Sequence, residues 1–162
     1  SGIAAVPEWL SRGLRVGLGT DGAASNNDLD MFEAMRMAAL LHKVATSDPT
    51  VLPARQALEL ATRRGAEALG LADRIGSLEV GKQADLITVA VDGARQTPMF
   101  NPMSHLVYVS RGDDVRTTIV AGRVLMADGR VRTLNAGAVL KDARTMAERV
   151  RAAVGMGATS AK

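Results

Sequence analysis

The 162-residue chain contains no cysteine, only two histidines, one tryptophan, one tyrosine and two phenylalanines. Without cysteine there are no disulfides, thiolate zinc sites or sulfur nucleophiles. Any metal must therefore be held by histidine and carboxylates, and His42 and His105 are the only imidazoles available. An aromatic content of 2% leaves almost no stacking platform for single-stranded nucleic acid or for an aromatic cage. No run approaches the 18 or so apolar residues of a membrane span, and no basic, apolar, small-residue segment opens the chain. The expectation is a cytoplasmic protein with neither membrane nor nucleic-acid partners. Ser1 in place of Met suggests a tag remnant or a chain cut from something longer.

What is present is globular in character: 47% hydrophobic and 23% charged residues, enough for one ordinary domain with its own core. The net charge of +3 is unevenly placed, with residues 130–162 contributing +5 and the remainder −2. Lys141, Arg144, Arg149 and Arg151 could meet phosphate, but Glu148 interrupts them and aromatic anchors are absent. A solvated helix face is the better reading. Met31, Met35 and Met37 are read as core filling.

Hydrophobic spacing predicts a short helix over Ala5 to Leu10 and a strand over Arg15 to Thr20 with Val16 and Leu18 on one side. A buried helix, apolar almost all round, is expected over Leu29 to Val44, capped by Asn27 or Asp28. Asp48-Pro49 breaks it, and Pro53 begins another helix that ends near Leu69-Gly70. From Ile75 the period becomes alternating, with strands expected at Ala84 to Val91 and His105 to Ser110. Thr117 to Ala121, Arg123 to Ala127 and Arg130 to Leu134 read as a meander with tight turns at Ala121-Gly122 and Asp128-Gly129. Val139 to Val154 repeats apolar residues at helical spacing, and Gly155 to Lys162 is expected to fray.

The strongest chemical signal is Asp21, at the carboxyl end of the first strand in Val16-Gly17-Leu18-Gly19-Thr20-Asp21-Gly22. In a β/α barrel, catalytic residues sit at that position. The competing reading is a turn-opening aspartate. The wider segment, Gly19-Thr20-Asp21-Gly22-Ala23-Ala24-Ser25-Asn26-Asn27-Asp28-Leu29-Asp30-Met31-Phe32, resembles the end of the eighth barrel strand in metal-dependent amidohydrolases. It is most similar to the branch of methylthioadenosine/S-adenosylhomocysteine deaminases and triazine hydrolases. A second match, Gly76-Ser77-Leu78-Glu79-Val80-Gly81-Lys82-Gln83-Ala84-Asp85-Leu86, resembles the segment where such enzymes return to a small β-sandwich.

The resemblance implies an α/β fold: the C-terminal fragment of a metal-dependent β/α barrel hydrolase, the C-terminal strands of its accessory β-sandwich, and a terminal helix. The corresponding divisions are residues 1–70, 71–137 and 138–162. It further implies hydrolysis of a non-peptide carbon–nitrogen bond, with deamination of an adenine-type nucleoside such as methylthioadenosine or S-adenosylhomocysteine expected first. A guanine- or triazine-type substrate is the alternative. In the family, the aspartate at the Asp21 position binds or closely approaches a catalytic metal, usually zinc, and accepts the proton of the attacking water. Ser25 and Asn26 are then candidates to touch substrate or support Asp21, with a role in starting the next helix competing.

The family's His-x-His pair, later histidine ligands and proton-shuttling glutamate find no counterparts here. Zinc or another divalent metal is thus expected in an intact parent and not in this chain alone. The implied partners are a purine-like small molecule, the missing N-terminal barrel portion and a second copy in a homodimer. A reading of another class is a noncatalytic β-rich module that binds through its basic helix.

Overall fold

The computed structural model describes residues 2–155. The chain opens with helix α1 (Val6–Ser11), which has Pro7 in its first turn, where a missing N–H costs nothing. An extended segment, residues 15–20, follows, with Val16, Leu18 and Thr20 half-buried and the residues between them exposed. The alternation expected of a strand is present, but the strand is not. No ladder partner adjoins it among the described residues, and it is tied instead by the Leu18 N–H donating to the Leu60 carbonyl (3.0 Å). Gly17 permits this approach, since a Cβ there would lie 2.8 Å from the Cα of Gly65.

A four-residue helix α2 (Ala23–Asn26) leads into α3 (Met31–Thr46). The cap of α3 is Asp30, whose Oδ1 accepts from the Phe32 N–H (2.8 Å), rather than the expected Asn27 or Asp28. Asn27 instead ends α2 with φ +63°, a left-handed conformation that asparagine tolerates better than most residues. Glu33 in the first turn of α3 and Lys43 in the last complement its dipole, and Ser47 at φ +52° closes it. Phe32, Met35, Ala39 and His42 form its buried stripe. The all-round apolar pattern does not translate into all-round burial, because Met37, Leu40, Leu41 and Val44 are exposed.

The helix expected from Pro53 to Leu69 is two pieces, α4 (Ala54–Leu60) and α5 (Arg63–Ala68). They part at Thr62, whose hydroxyl donates to the Leu58 carbonyl (2.7 Å) and whose backbone leaves the helical region. The strand expected over His105 to Ser110 is also corrected: Pro102–Tyr108 is a helix, α6. Asn101 caps it by accepting from the Ser104 N–H (3.0 Å), and Pro102 occupies its first turn. The alternating His-Leu-Val-Tyr run masked this start signal.

Helices α3, α4 and α6 pack on one another. Their shared core is Phe32, Met35, Ala39, Ala57 and Val107, and a second cluster joins Val6, Leu52 and Leu60. Leu18 touches both clusters, so the two cores are linked by the segment that leads to Asp21.

Strand β1 (Leu86–Val89) pairs antiparallel with β2 (Val115–Val120), which continues into β3 (Arg123–Ala127) and β4 (Arg130–Val131) in the order β1-β2-β3-β4. Both hairpin loops are two residues long, with positive φ at Ala121, Gly122, Asp128 and Gly129, the type I′ geometry expected of these turns. β4 is shorter than Arg130 to Leu134, ending at Val131. Val89 and Val115 carry the sheet against the helical core. Helix α7 (Ala136–Ala153), capped by Asn135, buries none of its residues. Of the tail expected to fray, residues 156–162 lie outside the described residues. No helix among the described residues is long and apolar enough to cross a membrane.

The join between β1 and β2 is fastened by a salt bridge. Asp114 is buried and accepts from Arg95 Nη2 (2.8 Å) and Nη1 (3.1 Å) and from the Arg111 N–H (2.9 Å). The Arg95 hydrogen bonds, more than the Arg111 amide, hold its pKa at about 2 against an ordinary 3.8. Because the folded-state pKa lies below the unfolded one, the pair stabilises fully above the ordinary value, and that stabilisation is lost as pH falls toward about 2. Melting temperatures measured across this acid range are expected to fall more steeply for the native protein than for Asp114→Asn, which has no charge to lose. Parallel curves would mean that the pair contributes nothing.

Candidate active site

Asp21 ends the extended segment and is exposed, with φ +62°. A non-glycine residue adopts that conformation at a cost, and aspartate is among the few that do so readily, because its short carboxylate can bond locally. It does so here: Asp21 Oδ1 accepts from the Gly22 N–H (2.7 Å), and the Thr20 hydroxyl donates to the Asp21 carbonyl (3.1 Å). One carboxylate oxygen is thereby oriented by backbone.

The loop is closed by Asn26. Its Nδ2 donates to the Thr20 carbonyl (2.8 Å) and to the Asp28 carbonyl (2.7 Å), clipping together the residues on either side of Asp21 and α2. Ser25 is exposed on the same short helix. Two residues beyond Asp28, Asp30 caps α3 through one oxygen and accepts from the Gly112 N–H (2.8 Å) through the other, joining the loop to the start of the sheet. Sequence reasoning singled out Asp21, Ser25 and Asn26, which the fold brings together on one loop. It missed Thr20 and Asp30, although Asp30 stands immediately before the helical run, where a cap belongs.

The two histidines do not join them. His42 is buried on α3, and desolvation lowers its pKa, favouring the neutral imidazole. His105 is buried on α6, not on a strand, and its Nε2 has no hydrogen-bond partner. No group of three or more His, Asp or Glu side chains suited to a metal occurs among the described residues. These residues therefore do not by themselves fit a zinc centre, which takes at least three protein ligands. A separate open cleft of 920 Å³ lies between the start of α3 and the sheet, lined by Asp28, Asp30, Glu33, Arg36, Ile87 and Arg111 among others; Asp21 does not line it.

Comparison with known proteins places this geometry in a family. Residues 1–125 match the amidohydrolase family, and the chain belongs to that family. It is 55% identical to a 5′-deoxyadenosine deaminase of Methanosarcina acetivorans over 91% of its length, and 50% identical to a 5-methylthioadenosine/S-adenosylhomocysteine deaminase of Syntrophobacter fumaroxidans over 93%. It spans about a third of these relatives, 34% in each case.

Among solved structures, an adenosine deaminase from Xanthomonas campestris with bound zinc superposes with a TM-score of 0.90 at 38% identity, covering 94% of this chain and 35% of that one. An atrazine chlorohydrolase from Arthrobacter aurescens complexed with zinc superposes at 0.81 with 33% identity, covering 90% and 32%. The structure is thus a mixed helix and strand segment of the amidohydrolase fold.

Proposed function

We propose that the whole protein containing this chain is a zinc-dependent hydrolytic deaminase of adenine-type nucleosides, with 5′-deoxyadenosine, methylthioadenosine and S-adenosylhomocysteine as the substrate class. In this reading residues 1–70 end a catalytic β/α barrel, residues 71–137 supply strands of an accessory β-sandwich, and residues 138–162 form the terminal helix and tail. The setting is cytoplasmic and the assembly a homodimer. The observation that carries the activity is identity of 50–55% with deaminases of this class across more than nine-tenths of the chain.

Asp21 is the group through which this chain enters the chemistry. Hydrolytic deamination needs a base to take the proton of the attacking water as the exocyclic amine leaves as ammonia. An exposed carboxylate with one oxygen oriented by the Gly22 N–H and the other free to accept a proton meets that need. Asp21 would also offer one ligand to the zinc. The histidine ligands belong to the part of the protein outside this chain, since His42 and His105 are buried on α3 and α6. In this reading Ser25, exposed on α2 just after Asp21 in the chain, would meet substrate.

A triazine-type substrate is the second reading, favoured by the superposition on the atrazine chlorohydrolase; the lower identity of 33% ranks it behind. The two separate on ammonia release by the whole protein from methylthioadenosine, 5′-deoxyadenosine, S-adenosylhomocysteine and an aminotriazine. Turnover of at least one nucleoside far above the triazine is expected. Turnover of the triazine alone would overturn the nucleoside assignment.

A further inference from the structure

From the loop that carries Asp21 we infer that Asn26 is a positioning residue for the reaction: its side-chain amide sets the place of the Asp21 carboxylate without touching substrate. This rests on the reading of Asp21 as the base.

The left-handed backbone of Asp21 needs support, because a carboxylate in that conformation holds its place only if the surrounding chain does. Thr20, immediately before it, is anchored on one side by the core contacts of Leu18. On the other side the chain turns through α2, which buries no residue and so takes no position from packing. Backbone bonds from the Ser25, Asn26 and Asn27 N–H groups to the Gly22 and Ala23 carbonyls close the turn itself, and the Asn26 amide ties it to the chain on either side. Its nitrogen bonds the Thr20 carbonyl six residues earlier and the Asp28 carbonyl two residues later, so a single group spans the loop. Both partners are acceptors, which fixes the nitrogen, not the oxygen, as the atom that faces them. The Asp28 end leads directly to Asp30, which is fastened to α3 and to Gly112. Asn26 thus connects the base to both of the elements that can resist its movement.

An amide directed at two backbone carbonyls is committed to them and has no further N–H for a ligand. Only its Oδ1 is left to accept from a ligand, and the split between kcat and KM in the variants separates that role from positioning. Loss of the clip displaces the carboxylate, and displacement of a catalytic group by about 1 Å can cost on the order of 10²-fold in rate. Ground-state binding of the nucleoside, to which this loop would add only Ser25, is expected to change far less than the rate.

The test uses the whole protein with 5′-deoxyadenosine and methylthioadenosine as probes, comparing Asn26→Ala, Asn26→Asp and Asp21→Asn. Asn26→Asp keeps the shape of the side chain and removes its donor, placing a carboxylate against two carbonyls. The expected result is a fall in kcat of about 10- to 100-fold for both Asn26 variants, with KM little changed and Asp at least as damaging as Ala. Melting curves and circular dichroism establish the folded fraction under assay conditions.

Near-normal activity in Asn26→Asp would show that shape rather than donation matters, and would overturn the inference. So would a raised KM with kcat intact, which marks a substrate contact, or a loss explained wholly by unfolding. The parent reading fails separately: if Asp21→Asn stays active, Asp21 is not the base, whereas an inactive Asp21→Asn beside fully active Asn26 variants removes only the positioning role of Asn26.

Discussion

Replacing Asp21 by asparagine in the whole protein is expected to lower turnover by at least about 10²-fold, the usual contribution of a positioned general base. The substitution leaves the loop in place while removing the base, and zinc content measured on the same variant separates that loss from a weakened metal ligand. Asparagine has nearly the size of aspartate, its side-chain oxygen can still accept from the Gly22 N–H, and it tolerates the left-handed backbone found at this position. The Asn26 clip and the Thr20 hydroxyl bond use the backbone of the loop and are unaffected. What disappears is the negative charge and the capacity to take a proton. Asp21→Ala is the less informative change, because alanine at φ +62° would disturb the turn as well as the chemistry. Ammonia release from 5′-deoxyadenosine or methylthioadenosine measures the effect, and near-native release by Asp21→Asn would remove Asp21 from the reaction.

The parts of this site legible in the sequence are those whose information is local. Asp21 followed by glycine after an alternating apolar run reads as a carboxylate at a chain reversal, and the fold places it at one. The two-residue turns at Ala121-Gly122 and Asp128-Gly129 were legible for the same reason: both central positions demand positive φ, and glycine in each pair supplies it.

Errors arose where the outcome depends on partners distant in sequence. Residues 15–20 have a strand's alternation but need a neighbour on each edge to become one, and Leu60 supplies a single hydrogen bond. Residues 105–110 show a strand-like pattern, yet Val107 is fully buried against α3 and α4, and the Asn101-Pro102 start makes the segment helical. The role of Asn26 in the loop was beyond spacing arguments, because Thr20 and Asp28 meet only once the turn has formed. The two histidines illustrate the opposite case. Burial in a helix was expected for His42 from an apolar run, and burial removes both histidines from the neighbourhood of Asp21.

Residues 1–162 expressed by themselves are expected to bind no stoichiometric zinc, release no ammonia from an adenine nucleoside, and self-associate. The first two outcomes follow from ligand count: Asp21 is one exposed carboxylate, and no cluster of three potential ligands occurs among the described residues. The third follows from surface. On α3, Val44 is 78% exposed, and Met37 and Leu40 stand beside it, although the helix has enough apolar residues to be covered on more than its buried stripe. Leu69 and Phe100 are exposed at 72% and 91%. Along α7, Val139, Met146, Val150 and Val154 form an apolar row facing no core.

Apolar surface on this scale is uncommon on a soluble monomer, and the extended residues 15–20 add unpaired backbone. The hydrophobic effect favours covering both, and with no other chain present the available cover is another copy. Light scattering reads the association, and elemental analysis of the same sample reads the metal. A monomer carrying one tightly bound zinc per chain would overturn the expectation, since it would require His42 and His105 to leave their buried positions on α3 and α6 and meet Asp21.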